Sequence, residues 1–155
     1  MTLDEAVALV TRCRAARQQV VFTNGVFDLL HPGHVRYLQQ ARALGDALIV
    51  GVNSDRSVRS NKGQGRPITP EVERCEILEA LACVDAVVVF DEDTPHALID
   101  AIQPDVLVKG ADWAEDAIVG RASVEARGGR VVRVAIEQGY STTALLKKIQ
   151  SHGSV

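Results

Sequence analysis

The segment Val20-Val-Phe-Thr-Asn-Gly-Val-Phe-Asp-Leu-Leu-His-Pro-Gly-His34 contains the features that decide the fold. It opens with an apolar, β-branched and aromatic run over 20–23, which predicts a buried strand. A loop over 24–31 follows. Pro32 then suits the first position of a helix, because its fixed φ matches that position and its missing N–H is not needed there. The segment therefore predicts a strand, a loop and a helix start in immediate succession.

The same alternation of strand and helix continues on both sides of this segment. Further apolar runs predict strands over 47–52, 86–90, 105–108 and 130–135. Capping residues, glycines and helical spacing predict helices over 2–17, 32–44, 69–82, 94–102, 116–127 and 142–149. The segment 58–68 combines Lys62 and Arg66 with two glycines and a proline, which predicts a mobile basic loop.

The predicted strands are continuously apolar, which is typical of a parallel sheet covered by helices on both faces. Right-handed crossovers then predict a Rossmann-like α/β fold with a doubly wound, five-stranded parallel sheet. We expect one domain over 1–155, with an N-terminal helix over 1–19 and a catalytic core over 20–150. Ligands bind beyond the carboxyl ends of such strands. The polar residues that directly follow predicted strands are Asn24, Asn53, Asp91 and Lys109.

The charge balance argues against a nucleic-acid partner. The chain has 17 Lys and Arg against 20 Asp and Glu, a formal net charge of −3. A nucleic-acid-binding domain usually carries a basic excess. We therefore expect a small anionic ligand. Because only 4% of the residues are aromatic, the core must consist mainly of Val, Leu, Ile and Ala.

The cysteines and the apolar runs suggest a cytoplasmic protein without membrane contact. Cys13, Cys75 and Cys83 form no C-x-x-C pattern, and we expect reduced, half-buried thiols. The longest apolar run, over 86–90, is far too short to span a bilayer. The first five residues, Met-Thr-Leu-Asp-Glu, lack the basic region of a signal peptide.

Two histidines at the predicted start of the second helix suggest phosphate chemistry. His31 and His34 are two of only four histidines in the chain, and they flank Gly33. A helix N-terminus offers free N–H groups and the positive end of the helix dipole, which favour phosphate binding. Two imidazoles there can donate hydrogen bonds to an α-phosphate as negative charge builds on it. The alternative is a pair of capping or packing histidines.

Two common nucleotide-binding motifs are missing from the sequence. No G-x-G-x-x-G follows the first predicted strand, and no G-x-x-x-x-G-K-[ST] occurs anywhere. These absences argue against a dinucleotide oxidoreductase and a P-loop enzyme.

The stretch Phe27-Asp-Leu-Leu-His-Pro-Gly-His34 resembles the signature of the cytidylyltransferase-like nucleotidyltransferases. That family also carries a Ser-Thr-Thr at the start of a late helix, which is matched here by Gly139-Tyr-Ser-Thr-Thr143. By itself, Ser-Thr-Thr is an ordinary helix cap. Within the superfamily, the chain is most similar to the D-glycero-β-D-manno-heptose 1-phosphate adenylyltransferases. The similar stretches, which fall within 20–149, are 22–25, 34–38, 48–53, 65–68, 104–110 and 139–143.

The resemblance implies an activity and a set of partners. The enzyme would transfer AMP from ATP to heptose 1-phosphate, giving ADP-heptose and pyrophosphate for lipopolysaccharide core biosynthesis. Mg²⁺ would be bound mainly through the ATP phosphates, without a protein metal site. In many bacteria this unit is fused to a sugar kinase, and we expect here the stand-alone form, with a separate heptose kinase upstream and a homodimeric assembly.

The resemblance also implies site residues by position. His31 and His34 would stabilise charge at the α-phosphorus, and Lys62 would reach the reacting phosphates. Implied nucleotide contacts are Phe22, Thr23, Asn24, Gly25, Phe27, Gly33, Arg74, Gly139, Tyr140, Ser141, Thr142 and Thr143. Implied substrate contacts are Asp28, Asp55, Arg66, Lys109 and Asp112. Lys109 would bind the sugar phosphate and the aspartates Asp55 and Asp112 its hydroxyls, whereas Asp28 would organise the loop beside the phosphates.

One departure bears on the alternatives. Relatives that act on glycerol phosphate carry Arg-Thr-Glu-Gly-Ile before Ser-Thr-Thr, whereas this chain has Ile136-Glu-Gln-Gly-Tyr140. The missing arginine argues against a glycerol 3-phosphate cytidylyltransferase. A CTP-dependent cytidylyltransferase for a small alcohol phosphate such as glycerol 3-phosphate remains the first alternative, and a non-catalytic nucleotide-binding module is the second.

Overall fold

Five strands form a single sheet in the computed structural model, which describes residues 1–153. They are β1 (Val20–Gly25), β2 (Ala47–Asn53), β3 (Ala86–Phe90), β4 (Val106–Gly110) and β5 (Arg130–Val134). The spatial order is β3-β2-β1-β4-β5, and every neighbouring pair is parallel. The predicted five-stranded parallel sheet is confirmed, with each strand within two residues of its expected bounds.

Helices connect the strands in the predicted alternation. They are α1 (Leu3–Ala15), α2 (Pro32–Arg42), α3 (Asp55–Lys62), α4 (Glu71–Glu79), α5 (His96–Ile102), α6 (Arg121–Ala126) and α7 (Thr142–His152), with a short 3₁₀ turn at Glu115–Ala117. Thr2 and Glu5 form the expected capping box of α1. None of the helices in residues 1–153 is long and apolar enough to cross a membrane.

The structure differs from the prediction in two segments, one of which forms an unpredicted helix and one of which forms a shorter helix than predicted. Most of α3 lies in the segment predicted as a mobile loop, because the Ser54 side chain caps the helix and Val58 anchors it in the core. The helix predicted over 116–127 is shorter, because Gly120 takes a left-handed conformation (φ 86°) just before α6. A Cβ on this glycine would lie 2.8 Å from the Ile99 side chain, so the site also lacks room for a larger residue.

The core consists of two apolar layers, one on each face of the sheet. Successive strand residues alternate between the layers, as the pleat requires: Val20 and Phe22 face one layer and Val21 faces the other. The first layer includes buried side chains of α1, α5 and α6, and the second includes those of α2 and α4. Helices therefore cover both faces, which confirms the doubly wound architecture. The three cysteines are free thiols, and Cys13 is buried more deeply than expected.

The topology places the candidate site. The strand order turns at β1, since the chain proceeds from β1 to β2 and β3 on one side and returns to β4 and β5 on the other. In open α/β sheets the crevice at this switch point is the usual ligand site. The loop between β1 and α2, which carries both motif histidines, lies at this crevice.

Candidate active site

A cavity of about 600 Å³ opens at the carboxyl ends of β1, β2 and β4. Three of the polar residues expected there from the sequence line it: Asn24, Asn53 and Lys109. Asp91, the fourth, is exposed and instead accepts hydrogen bonds from Ser54 and Arg56 at the start of α3. The remaining expected residues on the wall are Gly25, Phe27, Asp28, His31, Gly33, His34, Lys62, Arg66, Asp112, Tyr140, Ser141, Thr142 and Thr143.

The two histidines cap α2 reciprocally. His31 is the N-cap residue, and its Nδ1 accepts a hydrogen bond from the His34 backbone N–H at 3.3 Å. The His34 Nδ1 accepts from the His31 N–H at the same distance. The rings stack with centroids 3.8 Å apart, and Phe27 packs edge-on against His34 with a centroid separation of 5.6 Å. The two histidines therefore do cap the helix, as the alternative interpretation expected, and both side chains also line the cavity.

This capping geometry assigns the tautomer of both rings. A neutral imidazole carries one N–H, and here Nδ1 must accept, so the proton lies on Nε2. The pKa of His34 is lowered to about 4, chiefly by burial and also by the neighbouring His31, while the Asp28 charge partly opposes the shift. Burial also lowers the pKa of His31. At neutral pH the pair is therefore uncharged and presents two Nε2–H donors.

Gly33 has a packing role in addition to the expected one. A Cβ there would lie 2.8 Å from the Tyr140 Cβ and 2.9 Å from the His31 ring. The glycine thus lets α7 approach α2, and the Tyr140 ring stacks on His31 with centroids 6.0 Å apart. The guanidinium carbon of Arg36 lies over the Tyr140 ring, 5.4 Å from the ring centroid. Arg36 also forms a salt bridge with Glu137. The approach brings two helix N-termini to one cavity.

The Ser-Thr-Thr segment forms the N-terminus of α7 on the cavity wall. Ser141 is the N-cap, and its Oγ accepts from the Ala144 N–H at 2.9 Å. Thr142 donates its hydroxyl proton to the Asp28 carbonyl at 2.6 Å, which leaves that hydroxyl no proton for a ligand. The N–H groups of the first turn and the exposed Thr143 side chain remain available to an anion.

Asp28 joins the segments around the cavity. Its carboxylate, which is 1% exposed, accepts from Arg66 Nε at 3.1 Å, Ile68 N–H at 2.8 Å and Thr69 N–H at 2.9 Å. Burial alone would raise the pKa of Asp28, but these hydrogen bonds outweigh burial and lower it. The residue is therefore a loop organiser, as expected. Because its oxygens already have partners, a direct substrate contact is not supported.

Three cationic side chains line the cavity from different elements. Lys62 lies at the end of α3, and Gly63 follows it in a left-handed conformation (φ 84°). Arg66 is held by its ion pair with Asp28. Lys109, at the end of β4, is 8% exposed, and its Nζ lies 5.4 Å over the Trp113 ring. Three carboxylates, those of Asp28, Asp93 and Asp112, line the same cavity, so these cations provide local positive groups for phosphate oxygens and not a net positive charge.

Loss of the Lys109 proton is expected to weaken binding of a phosphorylated substrate. Burial lowers the pKa of Lys109 to about 8, against an opposing effect of the Asp112 charge. The ammonium is present below this pH and lost above it. If it holds the substrate phosphate, kcat/KM for that substrate should fall by up to about tenfold per pH unit between about pH 8 and pH 10.

Lys109→Arg is the matched control for this pH dependence, because a guanidinium stays charged throughout this range. The alkaline fall should disappear in this variant, and an unchanged fall would contradict the assignment. Unfolding does not explain the fall, because the pKa of an unfolded lysine is about 10.4. Between the pKa of folded Lys109, about 8, and that of an unfolded lysine, this side chain is more fully protonated in the unfolded chain than in the folded one. Its contribution to the free energy of unfolding therefore increases as the pH rises through this range.

Five of the expected site residues are not among those that line the cavity, and their roles toward a ligand stay predictions. They are Phe22, Thr23, Asp55, Arg74 and Gly139. Phe22 is fully buried, with its ring packed under Gly51. Thr23 is also fully buried, and its hydroxyl forms hydrogen bonds with the Val108 backbone carbonyl and the Tyr37 hydroxyl. Gly139 provides a left-handed turn (φ 86°) before α7.

Asp55 and Arg74 form an ion pair in which Arg74 is buried, with 1% of its side chain exposed, and Asp55 is partly exposed at 26%. Arg74 Nη2 donates to Asp55 Oδ1 at 2.8 Å, and the same oxygen accepts from the Glu71 N–H at the start of α4. Arg74 also donates to the backbone carbonyls of Val26, which directly follows β1, and Asn53, the last residue of β2. Both side chains are therefore held by contacts within the protein.

Several wall residues were not predicted. Examples are Tyr37, Val58, Asn61, Asp93, Thr94, Pro95, Val119 and Ile136. One signal was available for Tyr37, because a residue three positions after His34 lies on the same face of a helix. The others come from loops and from α3, whose positions cannot be deduced from local sequence. Trp113, the single tryptophan of the chain, also lines the wall and is 48% exposed.

The chain matches a known protein family over most of its length. The family model described as cytidylyltransferase-like matches residues 22–149. The chain is 54% identical over 153 residues to the bifunctional protein HldE of Geotalea uraniireducens, covering 99% of this chain and 31% of that protein. It is 54% identical over 147 residues to the same-named protein of Geobacter sulfurreducens, covering 95% and 30%. The chain thus spans less than a third of the length of these curated relatives.

Nearly the whole length of one solved structure matches this chain. The lipopolysaccharide core biosynthesis protein from Thermoplasma volcanium GSS1 is 31% identical, with a TM-score of 0.65. The match covers 80% of this chain and 99% of that one.

Proposed function

The chain belongs to the cytidylyltransferase-like family, and on that premise we propose that it transfers AMP from ATP to D-glycero-β-D-manno-heptose 1-phosphate. The observation that carries the proposal is the pair of neutral histidines at the N-terminus of α2, whose Nε2–H donors belong to the same cavity as the N-terminus of α7. Two helix N-termini and three cationic side chains suit a triphosphate and a second phosphate. The similarity to a lipopolysaccharide core biosynthesis protein supports a heptose substrate.

The proposed reaction is a direct in-line displacement. An oxygen of the sugar 1-phosphate attacks the α-phosphorus of ATP, the bond to the bridging oxygen breaks, and pyrophosphate leaves with that electron pair. A phosphate monoester is already anionic at neutral pH, so its attack requires no general base. His31 and His34 would donate hydrogen bonds to the α-phosphate oxygens, where negative charge builds in the transition state. Lys62, Arg66 and Lys109 would orient the two phosphate groups.

The donor set fits Mg²⁺ carried by the nucleotide. Among residues 1–153, no group of three or more His, Cys, Asp and Glu side chains could hold a metal ion. Asp28 has its carboxylate occupied by Arg66 and backbone N–H groups. Mg²⁺ would therefore be held mainly by triphosphate oxygens, as is common for this ion, and would neutralise phosphate charge when bound. The homodimer, the separate heptose kinase and the cytoplasmic location remain predictions.

Pyrophosphate release tests the proposal and its alternatives together. The chain is incubated with Mg²⁺ and either heptose 1-phosphate or glycerol 3-phosphate, each with ATP or CTP. We expect release only with ATP and the heptose. Release only with CTP would overturn the nucleotide assignment while keeping the reaction class. Nucleotide binding without release for any acceptor, including a wider sugar-phosphate panel, would favour the non-catalytic binding module.

A further inference from the structure

Tyr37 shares a helix face and a cavity with a catalytic histidine. It lies three residues after His34 on α2, so both side chains project from the same side of the helix. Both line the cavity, and Tyr37 is half-buried. The mechanism described above leaves this phenol without a role.

A buried hydroxyl fixes the direction of the phenol proton. Thr23 Oγ1 lies 3.0 Å from the Val108 carbonyl oxygen, and a carbonyl only accepts, so the threonine donates its single hydroxyl proton there. The 2.8 Å contact between Thr23 Oγ1 and Tyr37 Oη must then use a proton from the tyrosine. The Tyr37 proton consequently points away from the cavity, and only lone pairs of its oxygen remain for a ligand.

A second acceptor lines the same cavity. Asp112 also lines the wall, and its Oδ1 lies over Gly110, 2.7 Å from the place where a Cβ would stand. Burial raises the pKa of Tyr37 to about 12; the Thr23 hydrogen bond opposes this shift and the negative charge of Asp112 adds to it. The phenol is therefore protonated at neutral pH, and it lies within the field of the carboxylate.

We propose that Tyr37 is a specificity-determining residue whose phenol oxygen accepts a hydrogen bond from a hydroxyl group of the bound ligand, beside the Asp112 carboxylate. Two acceptors without a free proton favour a group that donates and disfavour one that only accepts. Lys109 is the neighbouring cation for a phosphate on the same ligand. The hydroxyl belongs either to the ribose of the nucleotide or to the acceptor sugar, and the sugar case rests on the proposed function.

Tyr37→Phe tests this role, because it removes only the oxygen and keeps the ring. Calorimetric titration of the full chain measures binding of ATP, 2′-deoxy-ATP and 3′-deoxy-ATP. It also measures heptose 1-phosphate and its monodeoxy analogues, in the presence of α,β-methylene-ATP. We expect about tenfold weaker binding of one parent ligand, which corresponds to one lost hydrogen bond. The matching deoxy analogue should bind the wild type and the variant equally.

Thr23 variants separate the proton direction from general packing. Thr23→Ser keeps the hydroxyl relay and should keep the preference for the hydroxylated ligand over its deoxy analogue. Thr23→Val removes the acceptor for the phenol proton, so the tyrosine can turn its O–H toward the cavity. The preference for the hydroxylated ligand over its deoxy analogue should then shrink at least severalfold. Thermal unfolding of each variant confirms that binding is compared between folded proteins.

The outcomes distinguish this inference from the proposed function. A wild type that binds ATP but not the heptose phosphate would argue against the proposed substrate, while the ribose comparison would still test Tyr37. Equal binding of all ligands by wild type and Tyr37→Phe would overturn the inference. Equal weakening of parent and deoxy ligands in the variant would overturn it as well, since the oxygen would then have no hydroxyl partner.

Discussion

Replacing His34 with alanine should lower kcat by about 10²- to 10³-fold, the usual cost of one donor to the charge of a transition state. The His34 Nε2–H is the donor in question, because its Nδ1 is occupied by the His31 backbone N–H. The substitution also removes a reciprocal cap, which we expect to cost about 1 kcal/mol of stability. Single-turnover kinetics at saturating ATP would measure the chemical step.

His31→Asn separates capping from catalysis. Asparagine is a strong N-cap residue, so its side-chain oxygen can accept from the His34 N–H as the His31 Nδ1 does now. It lacks the Nε2–H, so kcat should still fall by about 10²-fold or more. His96→Ala is the matched control, because this histidine is exposed, pairs with Asp100 and does not line the cavity. Wild-type kcat in both His31→Asn and His34→Ala would overturn the proposed role.

Arg74→Met should destabilise the fold by about 3–5 kcal/mol, because it leaves three backbone carbonyls and the partly buried Asp55 carboxylate without their donor. The Arg74 side chain is 1% exposed. Its guanidinium donates to Val26, Asn53 and Thr69 carbonyls at 2.7, 2.8 and 2.9 Å, and to Asp55 at 2.8 Å. Methionine fills a similar volume but leaves these acceptors without a partner. Urea unfolding at neutral pH would measure the change.

Two further variants identify the cause of this loss. Arg59→Met removes an exposed arginine of α3 and should change stability by no more than about 0.5 kcal/mol. Adding Asp55→Asn to Arg74→Met should recover a small part of the loss, because it removes an unpaired charge that is only partly exposed to solvent. Arg74→Met at wild-type stability would contradict the view that this residue ties the ends of β1 and β2 to α4.

The sequence was informative where chemistry and periodicity coincide. The apolar runs predicted every strand of the sheet, and the predicted parallel arrangement placed ligand binding beyond the carboxyl ends of the strands. The motif histidines and the Ser-Thr-Thr segment lie at the cavity because helix N-termini necessarily follow strand ends on that edge. Lys109 was placed correctly for the same reason, as a polar residue directly after the apolar run of β4.

The sequence was less informative where polar residues fold inward. A charged residue on a helix is usually solvated, so the sequence did not indicate that the Arg74 guanidinium donates hydrogen bonds to backbone carbonyls of three segments. The helix α3 was missed because Val58 is its only buried apolar residue, the other buried residue being Ser57, and because two glycines follow it. Tyr37 reads as an ordinary apolar helix position, since its contact with Thr23 joins elements that only the tertiary structure brings together.

Transfer of the α-phosphorus is the most direct test of the central claim. The chain is incubated with Mg²⁺, heptose 1-phosphate and ATP labelled at the α-phosphorus, and the label is followed by chromatography and mass spectrometry. We predict that the label appears in ADP-heptose in equal amount to the pyrophosphate released, with none bound to protein. Label found only in AMP, or covalently on the chain, or retained in ATP would contradict direct transfer to the sugar phosphate.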